Sequence, residues 1–152
     1  MKIENRLKEL NIELPEAPSP LAAYTPCKRS GNLVFVSGQG SSVNGKDSYL
    51  GKVGAELTLE EGYQAARCCG LNLLAQLKKF LGDLDNVKSI VHVKGFVASD
   101  TGFYSQPLVV NGVSDLMIEV FGEAGRHTRC ALGVNVLPGN IPVEVELIAE
   151  TE

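Results

Sequence analysis

The chain has 152 residues, of which 44% are hydrophobic and 21% charged, the balance of a folded globular chain rather than a disordered one. A domain of that length buries roughly 68–70% of its unfolded surface, enough to fold without disulfides or metal. The net charge is −4 and the basic residues are scattered, which excludes the basic footprint that non-specific nucleic-acid binding needs.

The N-terminus, Met1 to Arg6, alternates charged and apolar residues and lacks the apolar stretch of a signal peptide. No run of about 18 apolar residues is present to span a bilayer. A cytoplasmic protein with one domain over residues 1–152 is the simplest reading. Residues 1–20 supply a short helix, with Ile3, Leu7 and Leu10 at helical spacing, and a connector broken by Pro15, Pro18 and Pro20.

Tyr24 to Lys28, Ser30-Gly31-Asn32 and Leu33 to Ser37 read as strand, turn and strand. The tract Ser37-Gly38-Gln39-Gly40-Ser41-Ser42 follows. It has no GxGxxG and no GK[ST] opening a helix, so a bulge or a close backbone approach explains its glycines better than a phosphate cradle. Thr58 and Glu61 form a capping box, and the segment from Thr58 to Leu81 is a long helix stopped by Gly82. Gly62 and Gly70 each cost it about 1 kcal/mol against Ala and suggest close packing on a sheet.

Val87 to Ala98 is β-branched and reads as a strand. Phe103 to Gly112 contains Pro107 and reads as a loop, with a second helix from Val113 to Phe121. Arg129 to Val136 alternates, Cys130, Leu132, Val134 and Val136 facing one way and Ala131, Gly133 and Asn135 the other. After the turn Pro138-Gly139-Asn140, Val143 to Ala149 alternates again, with Glu144 and Glu146 on the polar side. The order β-β-α-β-α-β-β behind an N-terminal helix is an α+β arrangement with two helices on one face of a mixed sheet. An apolar second face would then need cover from another subunit.

The four cysteines contain no CxxC pair, and neither His92 nor His127 stands at a zinc-ligand spacing; they read as buried thiols in a reducing compartment, with no metal implied. Candidate polar groups concentrate around Arg126-His127-Thr128-Arg129-Cys130 and Glu144. A guanidinium at the head of a nearly uncharged strand needs a carboxylate, which residue type leaves open between an internal Asp or Glu and a ligand. Glu144 with Glu146 also reads as the solvated side of an edge strand, His127 as a packing histidine and Tyr24 as a strand aromatic. No Ser/His/Asp or Cys/His arrangement follows from spacing.

Three stretches are similar to the Rid family, also called YjgF or endoribonuclease L-PSP-like proteins. They are Gly31 to Gln39, Thr58 to Leu81, and the ending Arg129-Cys130-Ala131-Leu132-Gly133-Val134, Leu137-Pro138, Val143-Glu144-Val145-Glu146. The resemblance implies a chorismate-mutase-like fold, a homotrimer with clefts between subunits, and hydrolysis of reactive enamines and imines to 2-keto acids and ammonia, with no cofactor. By position it implies that Arg129 clamps the substrate carboxylate and Glu144 orients or activates water. Tyr24, Ser37 and Gly38 would line the cleft, with backbone near Ala131 touching the substrate. A non-catalytic carboxylate-binding or regulatory module of the same fold is the alternative, with RNA cleavage a third reading. The chain departs from the usual pattern at His127-Thr128, at Ala131, where many members have cysteine, in a longer Phe103 to Asp115 stretch, and in its N-terminal helix.

Overall fold

Period-two alternation near the end of the chain and a capped helix in its middle organise the architecture. The computed structural model describes residues 1–152. Helix α1 (Lys2–Glu9) has no side-chain cap from Met1. Asp85 replaces it, accepting 2.8 Å bonds from the N–H groups of both Lys2 and Ile3. Those backbone bonds hold the Asp85 carboxyl down to about 2. Lys78 to Glu4 at 2.7 Å adds a second tie, and Leu7 is buried.

Strands β1 (Cys27–Ser30) and β2 (Leu33–Gln39) form an antiparallel hairpin, its turn made by Gly31 at φ 60°. The ladder starts at Cys27 rather than at Tyr24. Pro26 has no N–H to contribute, and Tyr24 turns back to the Ala22 carbonyl at 2.9 Å. Helix α2 (Leu59–Leu81) carries both capping-box bonds, Glu61 N–H to Thr58 Oγ1 at 3.1 Å and Thr58 N–H to Glu61 Oε1 at 3.0 Å. Strand β3 (Val87–Ala98) matches its expected bounds.

Helix α3 (Gln106–Phe121) starts seven residues before the expected Val113. Pro107 sits in its first turn, where an N–H has no intrahelical partner to lose, so it begins the helix rather than preventing it. Strand β4 (Thr128–Val134) stops short of the expected Val136 because β3, its only neighbour, ends at the Ala98–Val134 pair. Strand β5 (Val143–Thr151) completes a sheet of order β1-β2-β5-β3-β4, with β3 and β4 parallel and the other pairs antiparallel. β5 is therefore the central strand, and Glu144 and Glu146 do not lie on an edge as their alternation had suggested.

Both long helices pack on one face, α2 over β2 and β5 and α3 over β3 and β4. Val143, Val145, Leu147 and Ala149 are buried beneath them. The helix glycines serve the contact between helices rather than one with the sheet. A Cβ on Gly70 would press into Leu116 of α3, and one on Gly112 would collide with the Tyr63 carbonyl oxygen of α2. The opposite face has no helix. Phe35, Ile148, Lys94, Glu146 and Leu132 lie on it, and Phe35 and Leu132 are each 44% exposed. No helix of the chain is long and apolar enough to cross a membrane.

Candidate functional site

The predicted site residues separate into two places. The first is a bulge. Between the pairs Val36–Leu147 and Gln39–Val145 the register shifts, leaving Ser37 and Gly38 opposite Glu146. Ser37 Oγ donates to the Thr25 carbonyl at 2.7 Å, and its N–H donates to Pro26 at 2.8 Å. The glycine leaves room for a neighbouring side chain here. A Cβ on Gly38 would stand 3.0 Å from both Cδ and Oε2 of Glu144. The backbone opening thus admits the carboxylate, and Tyr24, Ser37, Gly38 and Glu144 are neighbours.

A cavity of about 330 Å³ opens beside Glu144, with Tyr24, Gly38, Asp47, Asn72 and Gln76 among its lining. Two carboxylates line it and no Lys, Arg or His does. Burial, and after it the charge of Glu146, pushes the Glu144 carboxyl above its ordinary value. Below the cavity lies a buried amide network. Gln76 Nε2 donates to the Pro18 carbonyl at 2.7 Å and to Gln39 Oε1 at 3.3 Å, and Gln39 Nε2 donates to the Ser37 carbonyl at 3.1 Å. Asn72 Nδ2 ties Gly40 and Ser42 at 3.0 and 2.6 Å, while its Oδ1 is buried without a partner. The network joins the proline-rich connector to the bulge, so the loop bearing Gly38 is fixed from below.

The second place is the corner between α3 and β4. Arg129 pairs in register with Val93, on the helix-covered face. Its Nη1 donates to Asn111 Oδ1 at 2.8 Å and to Ser114 Oγ at 3.1 Å, and its Nη2 donates to the Pro107 carbonyl at 3.1 Å. Arg129 belongs to none of the ion pairs of the chain, so the internal carboxylate that sequence left open is absent. Of the guanidinium's five N–H donors, Nε–H and one on Nη2 make no bond within the chain. A carboxylate can take both at once. Ala131, two residues on, pairs with Gly95 and packs against the core under α3.

His127 is the remaining member of this corner. Its Nδ1 lies 2.6 Å from the Gly125 carbonyl and its Nε2 lies 2.9 Å from Ser114 Oγ. Burial lowers its pKa below the ordinary value, helped by the charges of Arg129 and His92 and opposed by the Gly125 bond.

Glu144 pairs with Phe96, whose neighbours Gly95 and Val97 face the helices. Its side chain therefore leaves the sheet on the side opposite to that of Arg129. One chain does not bring the two together. Sequence reasoning missed Asn111, Ser114, Asn72 and Gln76. The only available signal was polar pairs at i,i+3 and i,i+4 on otherwise apolar helices.

Two helices on one face of a five-stranded mixed sheet, with a bare second face, define a chorismate-mutase-like subunit. The chain belongs to the YjgF family: residues 4–151 match the family described as YjgF/chorismate mutase-like, putative endoribonuclease. It is 43% identical over 150 residues to Protein TCP17 of Trypanosoma cruzi, covering 98% of this chain and 94% of that one. A crystal structure of a protein of unknown function from Agrobacterium tumefaciens superposes with a TM-score of 0.92 at 44% identity, over 99% of this chain and 93% of that chain. A putative endoribonuclease from Shewanella oneidensis gives 0.94 at 39%, over 97% and 98%.

Proposed function

We propose that the chain, a single domain over residues 1–152, hydrolyses small imines and enamines that carry a carboxylate, in clefts between the subunits of a homotrimer. The observation that carries this reading is the guanidinium of Arg129, held by three neutral acceptors with no counter-charge and with a donor edge left free. Fixed donors of this kind bind an anion without reorganising. Arg129 takes the substrate carboxylate, and backbone near Ala131 lies alongside.

Glu144 comes from the neighbouring subunit, because the two side chains leave one sheet on opposite faces. Its cavity has two carboxylates and no cation, which suits the imine nitrogen and an attacking water and disfavours the carboxylate end. Tyr24, Ser37 and Gly38 line this side. With its pKa raised toward the working range, Glu144 takes a proton from water as the oxygen attacks the imine carbon and returns it to the departing nitrogen. A C–O bond forms and the C–N bond breaks, so imino acid and water give 2-keto acid and ammonia. The bare sheet face with Phe35 and Leu132 exposed is the surface such a trimer would cover.

The test is keto-acid release from imines generated by an amino-acid oxidase or a dehydratase, in which the protein accelerates release and Arg129→Ala removes the acceleration. Rates equal to buffer across several imines would sink the proposal. A second reading, a binding or regulatory module, is favoured by one observation: carboxylate capture needs Arg129 alone, and Glu144 is not beside it in the chain. A thermal-shift screen of 2-keto acids separates the two, since a ligand at 100 times its Kd adds about 2.7 kcal/mol. RNA cleavage fits the acidic charge balance poorly, and salt-sensitive cleavage lost in Arg129→Ala would revive it.

A further inference from the structure

We propose that His127 is a positioning residue for Arg129, acting through Ser114, so that the neutral imidazole holds the guanidinium in its anion-clamping pose. This inference rests on the reading of Arg129 as a carboxylate clamp.

The directions of four hydrogen bonds follow from their chemistry. The Gly125 carbonyl can only accept, so His127 Nδ1, 2.6 Å away, carries a proton. In the neutral ring Nε2 is then an acceptor, and the hydroxyl proton of Ser114 points to it across 2.9 Å. That turns the lone pairs of Ser114 Oγ toward Arg129 Nη1, which donates to it at 3.1 Å. The other Nη1 proton goes to Asn111 Oδ1 at 2.8 Å. Every donor in this chain meets an acceptor only while Nε2 is unprotonated.

Protonation of His127 reverses the middle link. Nε2 becomes a donor, Ser114 Oγ must accept from both cations, and its own proton loses its acceptor. Two positive groups would then share one oxygen of the buried Ser114, and the weaker anchor, Arg129 to Ser114, gives way.

No acid stands ready to compensate the imidazolium. The charges that act on His127 are Arg129 on β4, two residues on, and His92 on β3, both unfavourable to it. Glu123 in the preceding turn is paired with Arg126, while on α3 Asp115 is engaged by Tyr63 and Glu119 by Arg67. The lowered pKa of His127 agrees with this arrangement and keeps the neutral form dominant at neutral pH.

Two measurements test the proposal, one of which needs no ligand. In ¹⁵N-resolved NMR, His127 is expected as the Nδ1–H tautomer at about pH 7.5, with slow rotation of the Arg129 guanidinium. Rotation speeds up in His127→Ala and on acidification, and stays slow at both pH values in His127→Gln, whose amide oxygen still accepts from Ser114.

Pyruvate binding by calorimetry is the second. His127→Ala weakens it about tenfold, as expected for losing one anchor of a charged group. Wild type weakens comparably between about pH 7.5 and about pH 5, a range that ends well below the ordinary His value because burial lowers that of His127. His127→Gln binds within about twofold of wild type at neutral pH and loses this pH dependence, while keeping every other titrating group, Glu144 included.

Wild-type guanidinium rotation and affinity in His127→Ala would overturn the proposal, as would an undiminished pH dependence in His127→Gln. The expected NMR changes without pyruvate binding would instead strike the carboxylate reading and leave the positioning role standing.

Discussion

The Arg129 corner and the Glu144 pocket hold their charged groups by opposite means. Arg129 is fixed by what surrounds it: two side chains and a carbonyl of α3 saturate one side of the guanidinium and leave the other free. Glu144 is admitted by what is missing, the Cβ of Gly38, and its surroundings supply no cation. The first arrangement fixes the direction of the guanidinium. The second raises the carboxyl pKa and leaves room for a proton to move. Under the proposed function, the difference is that between a binding group and an acid–base group. Their placement on opposite faces of one sheet makes a second subunit necessary for them to work together.

The largest expected effect breaks the first region. Arg129→Ala should lower kcat/KM for imine hydrolysis by about a thousandfold, since it removes both charge and orientation. The cavity at Glu144 should keep its shape, which a crystal structure of the variant can check.

Gly112→Ala attacks the same region indirectly, by forcing α3 away from α2 at the Tyr63 carbonyl. A loss of about 3 kcal/mol in urea unfolding is expected from overpacking against backbone. Carboxylate affinity should fall with it, because Asn111 and Ser114 ride on α3.

Gly38→Ala sharpens the comparison from the other side. Its methyl would displace the Glu144 carboxylate, so kcat should fall about tenfold while pyruvate affinity stays within error. Equal losses in both would mean that the two regions are not separable in function.

The smallest effect is thermodynamic. Because the Glu144 pKa is raised in the folded state, its ionised form opposes folding: stability present at low pH is lost as pH rises through the folded value. Glu144→Gln should therefore stabilise the protein at neutral pH, by no more than about 0.5 kcal/mol since solvent screens a half-exposed group. The gain should vanish toward pH 4, as thermal unfolding across pH can show.

Much of the frame was legible in the sequence because it is written in local patterns. Thr58 and Glu61 announce the helix start, and Val143 to Ala149 shows its faces by alternation. Pro107 misled, since residue type does not distinguish a loop proline from one in a first helical turn. Strand order is non-local, so the central position of β5 could not be read from the alternation of Glu144 and Glu146. The partners of Arg129 were hidden for a similar reason: Asn111 and Ser114 lie 18 and 15 residues away in sequence and reach it only once α3 has packed against β4. Arg129 and Glu144 could be proposed from the family resemblance, whereas their opposite faces required the register of β3 with both neighbours.

Mixed oligomers test the inter-subunit site most directly. Arg129→Ala and Glu144→Gln subunits, each expected to be nearly inactive alone, would be co-expressed and the mixed species purified by two tags. In a cyclic trimer with clefts shared between neighbours, each mixed trimer has an intact arginine–glutamate pair in one cleft, about one third of the total. Recovery of imine hydrolysis to about that fraction of the wild-type rate is the expected result. No recovery above the two parent variants would contradict a site built from two subunits.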